Sequence, residues 1–300
     1  MKKIGVIINP NSGKDIRRIF SYAQTIGNNE KANLVERMIL GAQDLGVQDI
    51  FIMADYYNIG SSIKSVLTEN GDLKANLNIL DFKPKGNEHD TIKASESFMS
   101  MNVNCIIVLG GDGTSRLVAK AKPEIPLISI STGTNNVFPK FYEGTIVGMA
   151  AAVVCKFGVI DEYISKEKMI EIYLNGKVID YALIDAAISV NQSIGVRAIE
   201  DISSIEELIV TRCHPATIGF SSIIGVNSIS RSYDDFGYRV KLNKGSIKLR
   251  APFGAGKMIE MNMEQPVKLN LDQMYVYRAK RKGSIALDGE RTILFNTNDT

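Results

Sequence analysis

The chain has 300 residues, of which 45% are hydrophobic and 23% are charged, and this composition predicts a folded protein of about two domains. Its 35 Lys and Arg residues nearly balance its 33 Asp and Glu residues, which disfavours a nucleic-acid-binding surface. Two histidines cannot build a multi-histidine zinc site, and three cysteines without C-x-x-C spacing indicate neither a disulfide framework nor a zinc ribbon.

The apolar segments are too short for export or for membrane insertion. The run behind Met1-Lys2-Lys3 ends at Asn9-Pro10 and is shorter than the core of a signal peptide. The longest apolar stretch, Gly148 to Cys155, is far below the length that spans a bilayer. Together with the cysteine content, these lengths predict a cytoplasmic protein without stable membrane association.

Short apolar segments alternate with segments of helical periodicity in the first half of the chain, which predicts βαβ units around a parallel sheet. Helices are expected at Asn33–Leu45, at Thr91–Met101 with Asp90 as the N-cap, and at Thr145–Phe157, where the last helix would bridge the two halves. The five expected strands are Lys3–Ile8, Asp49–Met53, Leu77–Asp81, Asn104–Leu109 and Leu127–Ile130.

Strand alternation replaces helical periodicity from Met169 onward and predicts an antiparallel sheet. Asn175-Gly176 and Asp288-Gly289 separate alternating runs, so each predicts a tight hairpin. A third hairpin is expected around Asn243-Lys244-Gly245. Further strands are expected at Val267–Leu271 and Met274–Arg278, and the change from α/β to β structure is expected near residues 141–145.

The clearest candidate for a binding loop is the glycine turn after the fourth strand, Gly110-Gly111-Asp112-Gly113-Thr114, which a helix follows. Glycines let a backbone approach a ligand closely, and the helix N-terminus directs N–H groups at the turn, so the pattern suits a phosphate. A carboxylate beside a phosphate is unfavourable unless it accepts a proton from an attacking hydroxyl or acts through Mg²⁺. Asp112 is therefore a candidate catalytic residue, and the alternative is an ordinary helix cap.

Two further polar turns follow the first and fifth strands, at Asn9–Lys14 and Ser131–Pro139. The carboxyl ends of parallel strands meet at one edge of a sheet, so the three turns are expected to form one ligand site. The spacing at Asn9–Lys14 does not match a Walker A loop. Glu290, in the Asp288-Gly289-Glu290 segment, is either part of an ordinary hairpin or a second functional acid.

These turns carry a family resemblance. Asn9-Pro10-x-Ser12-Gly13, Gly110-Gly111-Asp112-Gly113-Thr114, Gly133-Thr134-x-Asn136 and Asp288-Gly289-Glu290 resemble, in order, the signature turns of the superfamily of NAD kinases, diacylglycerol kinases and sphingosine kinases. The longer strings NPNSGKDIRR, VLGGDGTSR, ISTGTNNVFP and IGFSSIIG are most similar to the AcoX branch, an ATP-NAD kinase-like group associated with acetoin catabolism.

The resemblance implies an N-terminal Rossmann-like domain over residues 1–142 and a C-terminal antiparallel β-sandwich domain over residues 143–300, with a nucleotide site in the cleft between them. The last segment belongs either to the second domain or, by returning, to the first. The resemblance also implies a homo-oligomer, most simply a dimer.

Carried over by position, the resemblance implies catalytic roles for Asp112 and Glu290. Asp185 stands in the stretch where NAD kinases carry an Asn-Glu pair, and it is the expected substrate-binding residue. Val137 follows Asn136 where lipid kinases usually have Asp. The implied nucleotide contacts are Asn9, Ser12, Gly13, Gly110, Gly111, Gly113, Thr114, Gly133, Thr134 and Asn136.

The leading functional hypothesis is a Mg²⁺-dependent kinase that transfers the terminal phosphoryl group of ATP to NAD and so forms NADP. Its partners would be a nucleotide and a small-molecule substrate. A kinase acting on a lipid or another small alcohol, and a non-catalytic nucleotide-binding sensor, stay open as alternatives. The sequence leaves the acceptor open and does not distinguish ATP from polyphosphate as the donor.

Overall fold

The computed structural model describes residues 2–13, 22–24, 26–121, 124–190, 202–289 and 291–300. These residues form two compact units. The first unit contains the described residues up to Gly13 and the segment from Gln24 to Ile164, and the second contains Tyr22, Ala23 and Ser165–Thr300. The expected fold class is confirmed in both halves of the chain.

The first unit contains a five-stranded parallel sheet with the strand order β3-β2-β1-β4-β5. Apolar side chains fill both faces of β1 and β4, as is typical of a parallel sheet covered on two sides. All five strands predicted from the sequence are present. They are β1 (Lys3–Ile8), β2 (Asp49–Ile52), β3 (Asn76–Ile79), β4 (Cys105–Gly110) and β5 (Leu127–Ser131).

Five helices accompany this sheet, and the second was not predicted from the sequence. They are α1 (Asn28–Asp44), α2 (Ile59–Glu69), α3 (Glu88–Ser100), α4 (Asp112–Lys120) and α5 (Gly144–Phe157). The prediction of Asp90 as the N-cap of α3 is wrong, because Asn87 holds that position and accepts a hydrogen bond from the His89 amide. Asp90 lies inside the helix, and its carboxylate instead accepts the amides of Lys85 and Gly86.

Helix α5 belongs to the first unit, where it packs against α1, and does not bridge the two halves as expected. Glycines make this approach possible, because a Cβ added to Gly41 would lie 2.6 Å from the Thr145 carbonyl oxygen. A Cβ added to Gly144 or Gly148 would overlap the carbonyl oxygen of Leu34 or Met38. The first unit therefore extends beyond the boundary expected at residues 142 and 143.

The second unit is built on an antiparallel sheet. Its seven strands follow the order β11-β10-β9-β8-β13-β14, with β12 paired to β10, and β6 and β7 form a separate pair. A short helix, α6 (Phe220–Gly225), is buried along its whole length and packs against this sheet. The strands are β6 (Ile170–Leu174), β7 (Lys177–Ala182), β8 (Asp185–Ser189), β9 (Ile205–Val210), β10 (Phe236–Gly254), β11 (Lys257–Met263), β12 (Val267–Asn270), β13 (Gly283–Leu287) and β14 (Arg291–Phe295).

Two of the three predicted hairpins are present, at Asn175-Gly176 and Asp288-Gly289. The third prediction is wrong, because β10 runs through Asn243–Gly245 without reversing direction. Leu242 and Ile247 both pair with Met263, so the intervening residues form a bulge within one strand. Asn243 fixes this bulge by donating its side-chain amide to three carbonyl oxygens of the segment 202–205.

The predicted strand at Met274–Arg278 is also absent from the described structure. Its alternating tyrosines anchor the segment through side chains: Tyr275 donates to Glu207 at 2.7 Å and Tyr277 donates to Glu206 at 2.9 Å. Side-chain hydrogen bonds thus replace the backbone pairing that the alternation had suggested.

In the part of the chain that the structure describes, every helix is too short or too polar to cross a membrane.

The close packing of α5 on α1 can be tested with Gly148→Ala. We expect this variant to lower the free energy of unfolding in urea by about 3 kcal/mol, because the added methyl group meets backbone that has no room to move. Gly27→Ala is the matched control, since a Cβ there meets none of the described residues within 4 Å, and it should cost less than about 1 kcal/mol. Equal stabilities of the two variants would contradict the packing.

Candidate functional site

Three polar turns leave neighbouring strands of the parallel sheet at its carboxyl edge. We call Asn9–Gly13 the first turn, Gly110–Thr114 the second turn and Ser131–Asn136 the third turn. The Asn9 amide donates to the Leu109 carbonyl oxygen at 3.0 Å, and the Thr132 amide donates to the Gly110 carbonyl oxygen at 3.3 Å. The structure therefore brings the three predicted turns together.

Asn9 connects the first turn to the second. Its side-chain nitrogen donates to the Thr114 hydroxyl at 2.8 Å. Its side-chain oxygen accepts the amides of Asn11 at 2.9 Å and Ser12 at 3.2 Å, which closes the first turn on itself. The Ser12 hydroxyl donates back to the Asn9 carbonyl oxygen at 2.8 Å. The shape of the first turn therefore depends on residue types that the sequence had singled out.

A buried lysine side chain forms hydrogen bonds to the backbone of the first turn. Lys31, in the first helical turn of α1, is 0% exposed, and its ammonium donates to the carbonyl oxygens of Asn9, Pro10 and Ser12 at 2.7 to 3.2 Å. It also reaches the Asn28 side-chain oxygen at 3.3 Å. A buried ammonium is stable only with such partners, so the loop and the lysine require each other.

The sequence analysis did not identify Lys31. The sequence does contain a pattern that points to Lys31. The buried residues of α1 recur at helical spacing, and Lys31 is the first of them. The other members of the face are Val35, Met38, Ile39 and Ala42. A lysine at one of these buried positions must find hydrogen-bond acceptors inside the protein.

Asp112 connects the second turn to the residues that follow the third. Its carboxylate accepts the Val137 amide at 3.0 and 3.1 Å and the Phe138 amide at 2.8 Å. Asp112 is the first residue of α4 and Gly111 is the N-cap, so the alternative role of Asp112 as helix cap does not apply. The side chain is 8% exposed and is an anchor between two turns.

Asn136 completes the connection between these turns. Its side-chain oxygen accepts the Asp112 amide at 3.4 Å, and its nitrogen donates to the Ser131 hydroxyl at 2.8 Å and the Gly133 carbonyl oxygen at 3.2 Å. A Cβ on Gly111 would lie 2.9 Å from the Asn136 side-chain oxygen. Glycine at position 111 is therefore what lets the second and third turns approach each other.

Glycine is also required in the first turn. Gly13 has a φ of 68°, and an added Cβ would overlap the Thr132 carbonyl oxygen. By contrast, a Cβ on Gly133 would have only the Asn136 side-chain nitrogen nearby, at 3.7 Å, so the fold itself leaves space at that position. Gly113 is buried in the first helical turn of α4, beside Thr114.

The third turn contains buried polar atoms that find no hydrogen-bond partner within the described ranges. They are the hydroxyl oxygens of Thr132 and Thr134 and the side-chain oxygen of Asn135. An unsatisfied buried polar atom costs about 1–3 kcal/mol, and native structures contain few of them. Three such atoms therefore lie in one turn.

Asp185 and Asp288 form a corner in the second unit. Asp288, at φ 49° in the turn between β13 and β14, accepts the amides of Leu183, Ile184 and Asp185 at 2.7 to 3.2 Å. The Asp288 amide donates to the Asp185 carbonyl oxygen at 3.0 Å. The Asp-Gly hairpin and the predicted substrate-binding residue therefore lie side by side. Glu290, the second predicted catalytic residue, lies outside the described residues.

Other chemistries lack support in the described part of the chain. It contains no group of three or more His, Cys, Asp or Glu residues placed to hold a metal ion. Burial raises the pKa of the Cys155 and Cys213 thiols to about 11, which keeps both protonated at neutral pH. His214, next to Cys213, accepts the Ala216 amide at Nδ1, so this adjacent pair does not form a nucleophile and its base.

The role of Lys31 can be tested with Lys31→Met, which keeps the apolar stem and removes the ammonium. We expect a loss of about 3 kcal/mol in the free energy of unfolding, because the carbonyl oxygens of the first turn lose their buried donor. Lys64→Met, at an exposed position of α2, should change stability by less than about 0.5 kcal/mol. If urea unfolding gives the same midpoint for both variants, Lys31 does not support the turn.

Comparison with known proteins gives matches to both halves of the chain. The family model of the ATP-NAD kinase N-terminal domain matches residues 4–156, and that of the acetoin catabolism protein X C-terminal domain matches residues 168–300. Acetoin catabolism protein X from Cupriavidus necator is 30% identical over 99% of this chain and 85% of its own length.

Two solved structures from Bacillus anthracis, a diacylglycerol kinase and a putative diacylglycerol kinase, are each 13% identical to this chain. They cover 98% of it and 92% of their own chains, with TM-scores of 0.42 and 0.44. The match of both domain models, and the identity to the Cupriavidus protein over nearly the whole chain, show that the chain belongs to the acetoin catabolism protein X family of the ATP-NAD kinase-like proteins.

Proposed function

We propose that this protein is a kinase that transfers the terminal phosphoryl group of ATP to the 2′-hydroxyl of NAD and forms NADP. The observation that carries the proposal is the set of three buried polar atoms in the third turn that have no partner among the described residues, next to a glycine-rich helix N-terminus. Membership of an ATP-NAD kinase-like family supports the same chemistry. The proposed compartment is the cytoplasm, where the three free cysteines stay reduced.

The second turn is the proposed phosphate-binding element. Gly111 and Gly113 flank Asp112 at the start of α4, where backbone N–H groups and the positive end of the helix dipole face outward from the helix. Because the Asn136 side chain already lies against Gly111, we propose that the phosphates of ATP meet the backbone amides of this helix N-terminus rather than the space of a missing side chain. The first turn, held by Lys31, and the third turn would supply the remaining contacts through Ser12, Thr134 and neighbouring groups.

The polar atoms of the third turn match a nucleotide in their chemistry. A threonine hydroxyl can donate to a phosphate oxygen, whereas the side-chain oxygen of Asn135 can only accept. An acceptor in this position suits a ribose hydroxyl or an exocyclic amine, which are the donors that a nucleotide offers. The pair of hydroxyls and one amide oxygen therefore fits the boundary between phosphate and ribose.

Asp112 has two proposed roles, as an anchor and as the catalytic carboxylate. In the reaction, the acceptor oxygen forms a bond to the terminal phosphorus while the bond to the oxygen of the leaving ADP breaks. The acceptor proton passes to a carboxylate, and we assign that step to Asp112, with Glu290 as a second acid. The amides of Val137 and Phe138 keep the Asp112 carboxylate in one orientation for it.

A magnesium ion fits the second turn as the partner of the phosphates. Mg²⁺ in such enzymes is usually held by phosphate oxygens, water and only one or two carboxylates, so the absence of an acidic cluster from the described residues is no obstacle. Asp112 is the carboxylate that would take part. The ion would neutralise charge that develops on the transferred phosphoryl group.

NAD is the proposed acceptor, and Asp185 is its proposed contact. Asp185 is 6% exposed at the start of β8, and its backbone is fixed by the Asp288 carboxylate. A carboxylate can accept both hydroxyls of a ribose, which is how dinucleotide-binding proteins commonly hold that sugar. The rigid corner would therefore orient one sugar of the acceptor.

The direct test is incubation of the purified chain with ATP, Mg²⁺ and NAD, followed by measurement of NADP. We expect Asp112→Asn to lower kcat by roughly 10²–10⁴-fold, because it removes the proton acceptor while keeping the side-chain shape. ATP binding by the same variant, measured by calorimetry, should change much less than kcat.

The outcomes of this assay are distinguishable. No NADP above the level of the Asp112→Asn variant would exclude NAD as the acceptor. Labelled ATP with a panel of lipid and soluble alcohols would then reveal another acceptor, and replacement of ATP by polyphosphate would test the donor. Nucleotide binding without turnover on any acceptor would identify a sensor and overturn the kinase proposal.

The unpartnered hydroxyl of Thr134 gives a separate test of the binding site. Thr134→Val preserves shape and removes a polar atom that has no partner within the described residues, so the free energy of unfolding should stay the same or rise. The Kd for ATP should rise about tenfold if that hydroxyl contacts the nucleotide. Thr68→Val, on α2, is the control and should bind ATP like the wild type. Unchanged ATP affinity in Thr134→Val would remove the third turn from the site.

A further inference from the structure

A fourth loop of the first unit lies at the same edge of the parallel sheet as the three turns. It covers residues 80–87, follows β3 and leads into α3, and we call it the β3–α3 loop. In the sheet, β2 separates β3 from β1. The side-chain nitrogen of Asn11 nevertheless lies 3.5 Å from the Gly86 carbonyl oxygen. The β3–α3 loop therefore extends past the end of β2 and reaches the first turn.

A buried carboxylate fixes the shape of the β3–α3 loop. Asp90, in the first turn of α3, is 5% exposed and accepts the Lys85 amide at 2.8 and 3.0 Å and the Gly86 amide at 2.7 Å. Gly86 has a φ of 73°, in the left-handed region that favours glycine. The Asn87 side chain accepts the His89 amide at 3.0 Å and closes the start of α3. The backbone at Lys85 is therefore held in one position.

The fold fixes the backbone of Lys85 and leaves its side chain unused. The side chain is exposed, and its ammonium forms no hydrogen bond or ion pair with any described residue. Other lysines near this edge have partners. The Lys93 ammonium lies 4.9 Å from the centroid of the Phe82 ring, and the Lys31 ammonium is buried among carbonyl oxygens. Lys85 thus offers a cation next to the residue that contacts the first turn.

The three turns lack the positive charge that a phosphate chain requires. They contain no Lys or Arg, and their one charged residue is the acidic Asp112. Backbone amides can bind phosphate oxygens but carry no net charge, and phosphoryl-transfer enzymes place a Lys or Arg beside them. Lys14, Arg17 and Arg18 follow the first turn but lie outside the described residues. Among the described residues, Lys85 combines an exposed ammonium with a loop that reaches the first turn.

We propose that Lys85 binds a phosphate group of the molecule that occupies the three turns. The inference rests on the proposed function, since it requires a nucleotide or another phosphate compound at the second turn. Its ligand chemistry is a chain of linked phosphates, which both ATP and inorganic polyphosphate carry. Lys85 is a binding residue in this account and takes no part in proton transfer.

The test measures the Kd of ATP and of inorganic tripolyphosphate for the full chain by calorimetry in the presence of Mg²⁺. Whichever of the two the wild type binds, Lys85→Gln should raise its Kd at least about tenfold, because a charge-assisted hydrogen bond is lost. Lys85→Arg should keep most of the affinity, because the positive charge remains. A lower wild-type Kd for ATP than for tripolyphosphate would identify the nucleotide as the ligand, and the reverse order would identify polyphosphate.

Lys74→Gln is the matched control. Lys74 precedes β3 and therefore lies at the opposite edge of the sheet, and its amide is held by the Gln43 side chain much as the Lys85 amide is held by Asp90. Both variants remove one exposed positive charge, yet Lys74→Gln should bind the ligand like the wild type. The midpoint of urea unfolding should match the wild type in both variants, since neither removes a buried group.

Salt gives a readout that a purely structural role of Lys85 would not change. Added salt screens the attraction between an exposed ammonium and a phosphate. The Kd of the wild type should therefore rise with salt more steeply than the Kd of Lys85→Gln. Equal salt dependence in the two proteins would contradict the proposed contact.

Two further results would overturn the inference about Lys85 alone: wild-type affinity in Lys85→Gln, and an equal loss of affinity in Lys74→Gln. The NADP assay separates these results from a failure of the proposed function. If the wild type forms no NADP but Lys85→Gln weakens ATP binding, the choice of NAD as acceptor fails and the role of Lys85 stands. A wild type that binds neither ATP nor tripolyphosphate would overturn both.

Discussion

Two buried charges of opposite sign organise the carboxyl edge of the parallel sheet. Strands that end side by side leave carbonyl oxygens and amides without sheet partners, and those groups must find others once water is excluded. The Lys31 ammonium collects the carbonyl oxygens of the first turn, and the Asp112 carboxylate collects the amides of Val137 and Phe138. Each charge is matched to the polarity of the backbone groups that it holds.

This arrangement has a consequence for ligand binding. Turns that are already fixed by internal hydrogen bonds do not lose further freedom when a ligand arrives, so less binding energy is spent on ordering them. The same hydrogen bonds decide which polar atoms of the turns are satisfied within the protein. In the third turn, Ser131 and Asn136 satisfy each other, whereas Thr132, Thr134 and Asn135 keep polar atoms without partners among the described residues. The same network of hydrogen bonds thus fixes the shape of the turns and leaves some of their polar atoms without partners among the described residues.

The sequence predicted those strands and hairpins whose structure depends on residues close together in the chain. The five parallel strands are short β-branched runs between turns, and the Asn175-Gly176 and Asp288-Gly289 hairpins need residues that tolerate positive φ. The same chemistry misled the prediction at Asn243–Gly245. Asn243 and Gly245 do adopt positive φ, at 59° and 86°, but pairing with β11 on both sides keeps the chain running forward. Here long-range pairing decided between a hairpin and a bulge.

The candidate site could also be predicted only in part from the sequence. Its turn residues could be selected from the sequence, whereas the anchoring role of Asp112 depends on amides 25 residues away.

Helix α5 shows how a close contact between two backbones decides which residues of a helix face inward. Glycines at 41, 144 and 148 bring its inner face so close to α1 that backbone touches backbone, and this contact needs no large side chains. The large apolar residues of α5 are therefore free to lie on the other side. Ile146, Val153 and Phe157 lie on that side and are between 42% and 60% exposed. The large apolar residues of α5 thus lie outward because the close backbone contact with α1 leaves room mainly for small residues on the inner face.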